Sequence, residues 1–407
     1  MTRLRVGVIF GGRSGEHEVS LASAAAVVAN LDPARYDVVP LYIGRDGRWS
    51  RPAEPPRIVS AAQTIAQAQS RIGDRSPAAR VGGEDSGREV HLVCYPSAQT
   101  VIEVDAPVGR VSERGSASVA DEGLGPLELA RGKGLALDVL FPVLHGPYGE
   151  DGTVQGLLEL AGVPYVGAGV AASAVGMDKI LQKQLFLSCR IPVVPHVAVL
   201  RRDVLASPSD AARRVLGTLP LPLFVKPANL GSSVGISKAK TVEALAAALV
   251  DAAQYDRRVI VEQAVPHARE IECGVLGNDT PEASVPGEII PSGEFYDYAA
   301  KYLSDASTLI IPATLTVDQA ARVREYSLAA FRALDGAGMA RVDFLMNGET
   351  GDIFLNEVNT IPGFTTISMY SKLWAASGVD YPQLLDRLIE LALERHREKQ
   401  ALRTSAL

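Results

Sequence analysis

The pattern of apolar and polar positions opens with a short β-branched run over residues 5–10, followed by a glycine turn. A helical repeat then covers residues 17–30 and is closed by Asp32-Pro33. A second extended run at 38–43 follows at the spacing of a parallel crossover unit, and a third at 136–144 leads into another glycine-rich loop. These runs predict a doubly wound α/β domain. Between them, residues 45–133 are rich in Pro, Gly, Ser and Arg, and only 90–95 and 101–104 read as strands, which predicts a β-rich or partly mobile insertion. From Met177 the pattern changes: a helix to 188, strands at 193–200, 223–226 and 235–238, an alanine-rich helix at 241–253 and a strand at 258–263. The remainder alternates strands (270–276, 288–290, 339–346, 352–359) with helices (317–334, 381–399).

A chain of 407 residues exceeds one ordinary core and fits two or three domains. Its formal charge of -7 gives no general attraction to nucleic acid or anionic lipid, so any bound anion must be held by local groups. That favours a small-molecule site. Cys94, Cys189 and Cys273 show no CxxC or metal-ligand spacing and read as reduced core residues. The start of the chain has no long apolar segment before a small-residue cleavage site, and no apolar stretch reaches the ~18 residues that span a bilayer. A soluble, cytoplasmic protein without membrane or nucleic-acid partners is expected.

Two segments carry candidate chemistry. In Phe224-Val-Lys-Pro-Ala-Asn-Leu-Gly-Ser-Ser-Val-Gly-Ile236, two strands flank a loop with Gly231, Ser232, Ser233 and Gly235. Its N–H groups and hydroxyls can converge on a phosphate while Lys226 supplies the charge; the alternative is an ordinary hairpin loop. GxxxxGK[ST] and GxGxxG are both absent. The second segment is a hairpin bearing Arg341-Val-Asp343 and Glu357-Val-Asn359 around the turn Asn347-Gly-Glu-Thr-Gly351. If Met346 pairs with Asp352, one face is apolar (Val342, Phe344, Phe354, Val358), apart from Asn356, and the other carries the four polar residues. Arg341 then lies opposite Glu357, with Asp343 as the diagonal neighbour. Oxygen-only ligands so placed suit Mg²⁺ bridging nucleotide phosphates; the alternative is a surface ion-pair ladder.

With Gly11-Gly-Arg-Ser-Gly-Glu-His-Glu-Val-Ser20, His145-Gly-Pro-Tyr-Gly-Glu-Asp-Gly-Thr-Val-Gln-Gly156, Met177-Asp-Lys179, Phe295-Tyr-Asp-Tyr-Ala-Ala-Lys-Tyr302 and Asn356-Glu-Val-Asn-Thr-Ile-Pro-Gly-Phe-Thr365 added in order, the chain resembles D-alanine-D-alanine ligases of the ATP-grasp superfamily almost end to end. The resemblance implies a three-domain α/β architecture. It comprises an N-terminal substrate domain (1–167, with the insertion near 45–133), a central ATP-grasp domain (168–262) and a C-terminal one (263–407), the last two clasping ATP. It further implies a cytoplasmic homodimer that joins two D-alanines through a D-alanyl phosphate, for peptidoglycan precursors.

The same resemblance assigns the residues. Lys179, Lys226 and Lys301 meet the ATP phosphates, with Gly231, Ser232 and Ser233 as lid; Glu262 sits by the adenine and Glu270 by the ribose. Asp343, Glu357 and Asn359 hold two Mg²⁺ (or Mn²⁺). Glu16, assisted by His145, holds the ammonium of the first D-alanine, and Ser232 and Tyr302 join Glu16 in a hydrogen-bonded triad. Arg341 and the Gly363 N–H serve the oxyanion, and Ser368 with Arg341 binds the second carboxylate. His17 reads as structural. Tyr302 goes with D-alanine as second substrate in similar ligases. Two departures stand out: Ala299-Ala300 replaces a position that is often polar, and Ser371 replaces a usual proline.

Overall fold

The computed structural model of the chain describes residues 3–56, 87–96, 101–104, 132–231, 234–291, 308–365 and 367–403; Ser232, Ser233, Lys301 and Tyr302 lie outside them, as do Ala299-Ala300. The first apolar run forms β1 (Leu4–Gly11), and α1 (His17–Asn30) and β2 (Tyr36–Ile43) follow. Then come β3 (Trp49–Arg51), β4 (Arg88–Leu92), β5 (Val101–Val104), β6 (Gly132–Gly134) and β7 (Val139–Pro142). Strands β2, β1 and β7 are parallel neighbours, and β3 to β6 extend the same sheet from β2 as antiparallel strands. Strand β7 is shorter than the expected run because Ala136 has φ +46°, which no strand accommodates.

Helices α2 (Thr153–Ala161), α3 (Val170–Met177) and α4 (Lys179–Ser188) lead into the second sheet. The single helix expected over 177–188 is corrected: the chain breaks at Asp178. That residue is extended, and its carboxylate accepts the N–H groups of Ile180 and Leu181 at 3.1 Å each, so Lys179 becomes the first residue of α4. Next come β8 (His196–Leu200), α5 (Arg201–Ala206), α6 (Pro208–Leu216), β9 (Leu223–Pro227), β10 (Ser237–Ala239), α7 (Val242–Ala252) and β11 (Arg258–Gln263). They build an antiparallel sheet ordered β10-β9-β11-β8. Leu245 and Leu249 of α7 and Val215 of α6 bury its outer face against Leu223, Val225, Val259 and Val261.

The third sheet contains β12 (Ala268–Gly277), β13 (Glu282–Ala283), β14 (Gly287–Ile290) and β15 (Thr308–Ile310). After α8 (Val317–Ala333) it is completed by β16 (Gly338–Asn347) and β17 (Ile353–Asn359), and α9 (Met369–Ala376) and α10 (Tyr381–Ala401) end the described chain. Its order is β15-β14-β12-β16-β17, with β13 on β12. Strand β16 alternates: Val342, Phe344 and Met346 are buried against Val323 and Phe331 of α8, while Arg341, Asp343 and Leu345 face the other way.

The expected hairpin register is corrected here. Met346 faces Ile353, and Phe344 faces Leu355. The register then shifts, so that Asp343 faces Glu357, Val342 faces Val358 and Arg341 faces Asn359. Asn356, which broke the alternation in the sequence, is the extra residue of a β-bulge. Ile353 and Leu355, not Phe354, therefore share the buried face with Val358.

The first and third parts of the chain also share a core. Phe364 is fully buried, with ring centroids 5.9 Å from Phe141, 5.7 Å from Tyr370 and 6.3 Å from Tyr381. Leu384, Leu388 and Ile389 of α10 join Val6, Val8 and Val27 in the same cluster. Each such side chain contributes roughly 1.5–3 kcal/mol when buried. Only Cys273 is a core cysteine; Cys94 and Cys189 are exposed, which corrects the expectation for both. No described helix is long and apolar enough to cross a membrane.

Candidate active site

A cleft of about 760 Å³ opens between the sheets and is lined from all three parts of the chain. On one wall, β9 carries Lys226 next to its last residue; the Lys226 Nζ lies 2.7 Å from Glu262 of β11 and donates to Asn356 Oδ1 at 3.3 Å. Glu262 also meets Lys183 Nζ at 3.1 Å, and that lysine is fully buried. Burial alone raises a carboxyl pKa, but two ammonium groups overcome it here and hold Glu262 at about 2. Burial lowers the Lys183 pKa, whereas for Lys226 burial is outweighed by Glu262 and Glu357, so its ammonium is held more firmly. Lys179, fixed at the start of α4, donates to the Leu230 carbonyl at 2.8 Å and reaches Glu357 at 3.2 Å.

On the facing wall the bulge places Asp343, Glu357, Arg341 and Asn359 together. Arg341 grips Asp343 with two hydrogen bonds of 2.8 and 2.7 Å, and lies 2.9 Å from Glu272 of β12. Asn359 Nδ2 donates to Asp343 at 2.9 Å. Glu270, two residues from Glu272 and so on the same face of its strand, also lines the cleft.

At the third corner Glu16 precedes α1. Its side chain makes no helix cap, and its carboxylate turns instead into the cleft wall between two glycines. A Cβ at Gly146 (φ +72°) would come within 2.7 Å of Glu16 Oε2, and one at Gly231 within 2.9 Å, so both positions admit only glycine while that carboxylate stays in place. Glu150 accepts the Gly146 N–H at 2.9 Å; burial, then the charge of Glu16, pushes its carboxyl up to about 8. His145 lines the cleft, yet both its ring nitrogens are engaged by protein: Nδ1 with the Ile361 carbonyl (3.2 Å) and Nε2 with Ser23 Oγ (3.4 Å). Burial lowers its pKa. His17 bonds to the Gly12 carbonyl and to Tyr42, within the first sheet. The Ser368 hydroxyl accepts the Thr365 N–H at 3.0 Å and would stand 2.9 Å from a Cβ on Gly363, so the hydroxyl and the Pro362-Gly363 turn are immediate neighbours.

The structure thus brings Glu16, His145, Lys179, Lys226, Gly231, Glu262, Glu270, Arg341, Asp343, Glu357, Asn359, Gly363 and Ser368 to one cleft. Sequence reasoning missed Glu150, Lys183 and Glu272. The alternation Glu270-x-Glu272 was available as a signal, whereas a lysine in the polar stretch Gln182-Lys183-Gln184 gave none.

Asp343, Glu357 and Asn359 offer hard oxygen donors. Among the described residues no group of three or more His, Cys, Asp or Glu is set to hold a metal unaided, so an ion there must take further oxygens from a ligand. Seven Asp and Glu side chains line the cleft against five Lys and Arg, and with Glu150 protonated below about pH 8 the carboxylates still exceed the cations by one. Adding a triphosphate to that excess calls for divalent counter-charge, and the donor set fits Mg²⁺.

A nucleotide-sized cleft walled by lysines and carboxylates between two antiparallel sheets is the architecture of ATP-grasp enzymes. Residues 5–168 match the family model for the D-ala D-ala ligase N-terminus, and residues 185–390 that for the D-ala D-ala ligase C-terminus. Among relatives, the D-alanine--D-alanine ligase of Heliobacterium modesticaldum is 45% identical, covering 100% of this chain and 99% of that protein. That of Geobacillus kaustophilus is 44% identical over 98% and 97%. Of solved structures, the D-alanine-D-alanine ligase from Coxiella burnetii superposes with TM-score 0.76 at 35% identity, covering 98% of this chain and 97% of that one. The VanG D-Ala:D-Ser ligase from Enterococcus faecalis gives 0.75 at 32% identity, covering 96% and 100%. The chain belongs to the D-Ala-D-Ala ligase family.

Proposed function

We propose that this protein is a cytoplasmic, homodimeric enzyme that spends ATP to join two D-alanines into D-alanyl-D-alanine for peptidoglycan precursors. The observation that carries the reading is the single cleft where the lysine wall, the bulged hairpin and Glu16 meet. The three sheets support a division into 1–167, 168–262 and 263–407, with the first part carrying the insertion.

A carboxylate is a poor electrophile, so the carboxylate oxygen of the first D-alanine attacks the γ-phosphorus and ADP leaves. Lys179, Lys226 and Lys301 neutralise the phosphate charge, while Gly231, Ser232 and Ser233 cover it. Glu262 stands by the adenine and Glu270 takes the ribose hydroxyls, a reading supported by the position of both in the cleft lining. Two Mg²⁺ or Mn²⁺ ions, held by Asp343, Glu357 and Asn359, supply Lewis-acid stabilisation when bound. Glu16 holds the ammonium of the first D-alanine, closed in by Ser232 and Tyr302, and the neutral His145 backs that wall. The free amine of the second D-alanine then attacks the acyl carbon, phosphate departs and the nitrogen loses a proton. Arg341 and the Gly363 N–H receive the oxyanion, and Ser368 with Arg341 orients the second carboxylate.

Likeness to a D-Ala:D-Ser ligase favours one competing reading, in which D-serine is the second substrate. Tyr302 argues for D-alanine. Phosphate release from ATP is expected with D-alanine and not with L-alanine or D-lactate. Release independent of any amino acid refutes the ligase reading, and faster turnover when D-serine is added to D-alanine selects the competitor.

A further inference from the structure

The β17 bulge decides whether a metal pair exists. Continuing the pairing of Met346 with Ile353 without interruption sets Asn356 opposite Asp343 and turns Glu357 to the buried face, because side chains alternate along a strand. One extra residue brings Glu357 and Asn359 to the side of Asp343 and Arg341. A bulge takes backbone groups out of the ladder, and in a buried setting those groups need other partners.

Helix α4 supplies them. The Asn356 carbonyl accepts from Lys183 Nζ at 2.9 Å, and the Val358 N–H donates to Gln182 Oε1 at 3.0 Å. Gln182 and Lys183 are 1% and 0% exposed, an unusual pair for the middle of a helix. Gln182 is itself held by the Gly176 carbonyl, and Lys183 by Glu262. We infer that Gln182 and Lys183 are positioning residues that clamp the Asn356 bulge and so hold Glu357 on the same face as Asp343. Neither residue lines the cleft. One turn earlier on the same helix, Lys179 meets the Glu357 carboxylate itself, so α4 fixes both the backbone and the side chain of that strand end.

The functional consequence rests on the reading of Asp343 and Glu357 as metal ligands, whereas the clamp does not, and the test separates the two. Hydrogen exchange of amides 354–359 is measured in the full-length protein without metal or nucleotide. Lys183→Met and Gln182→Leu are expected to quicken it by about tenfold or more, with α8 unchanged, as loss of one buried hydrogen bond implies. Gln182→Leu leaves no charge unpaired and serves should Lys183→Met not fold. Unchanged exchange in a folded variant overturns the clamp. In the second arm, nucleotide affinity is compared with and without Mn²⁺. The ratio is expected to fall by about tenfold in both variants. An equal loss with and without Mn²⁺ overturns the link to the metal site. If Glu357→Gln also leaves the ratio unchanged, the metal reading is what fails.

Discussion

A carboxyl group wedged beside Glu16 and the Gly146 backbone cannot ionise in the usual range, and Glu150 keeps its proton to about pH 8. Glu357 adds to the shift and Lys179 opposes it, but burial and Glu16 dominate. In the unfolded chain the same group ionises near 4.3. Between those values the folded protein binds the extra proton, so this group makes stability fall as pH rises through the window. Glu150→Gln removes the effect while keeping an acceptor for Gly146. Its denaturation midpoint is expected to exceed that of the parent chain at pH 9 and to converge with it towards pH 5, as urea melts at the two pH values will show. Among single residues, the cleft-lining Lys226 and Asp343 were legible from the residue types of their own segments, and Glu16 through the family resemblance alone. Lys183 was not, since a lysine between two glutamines reads as solvated until Glu262 and the Asn356 carbonyl are seen bonded to it in the interior.

At the scale of elements, α1 and β11 have the bounds that apolar periodicity gives, since nothing interrupts either pattern. Besides the shortened β7, two elements departed from it for local reasons. The hairpin register depends on where a single residue bulges, and alternation records a defect at Asn356 without saying how the chain absorbs it. The break at Asp178 is invisible to apolar spacing because α3 and α4 both carry apolar residues up to the joint. That break matters to the site, for it sets the first turn of α4 and thereby Lys179. Asp178 caps two N–H groups and pairs with Arg258. Asp178→Ala is expected to cost about 1–2 kcal/mol in chemical denaturation and to raise the KM for ATP. Asp178→Asn, which retains the cap, is expected to recover most of the stability; equal losses in both variants refute capping as the cause.

Across the whole molecule, the first sheet and the last helices are one hydrophobic unit. Phe364 sits where they meet, touching Phe141 from one side and Tyr370 and Tyr381 from the other. Phe364→Ala is expected to destabilise the protein by about 3–5 kcal/mol in denaturant titration. A loss below about 1 kcal/mol contradicts the shared core. None of this junction was readable from sequence, because apolar periodicity tells a helix which face to bury and not which distant sheet receives it.

That joint core has a consequence for synthesis. The ribosome releases the leading strands long before Leu384, Leu388 and Ile389 emerge, so the opening sheet spends most of translation with an uncovered greasy flank. Chaperone occupancy during elongation should therefore persist until the final helix clears the exit tunnel.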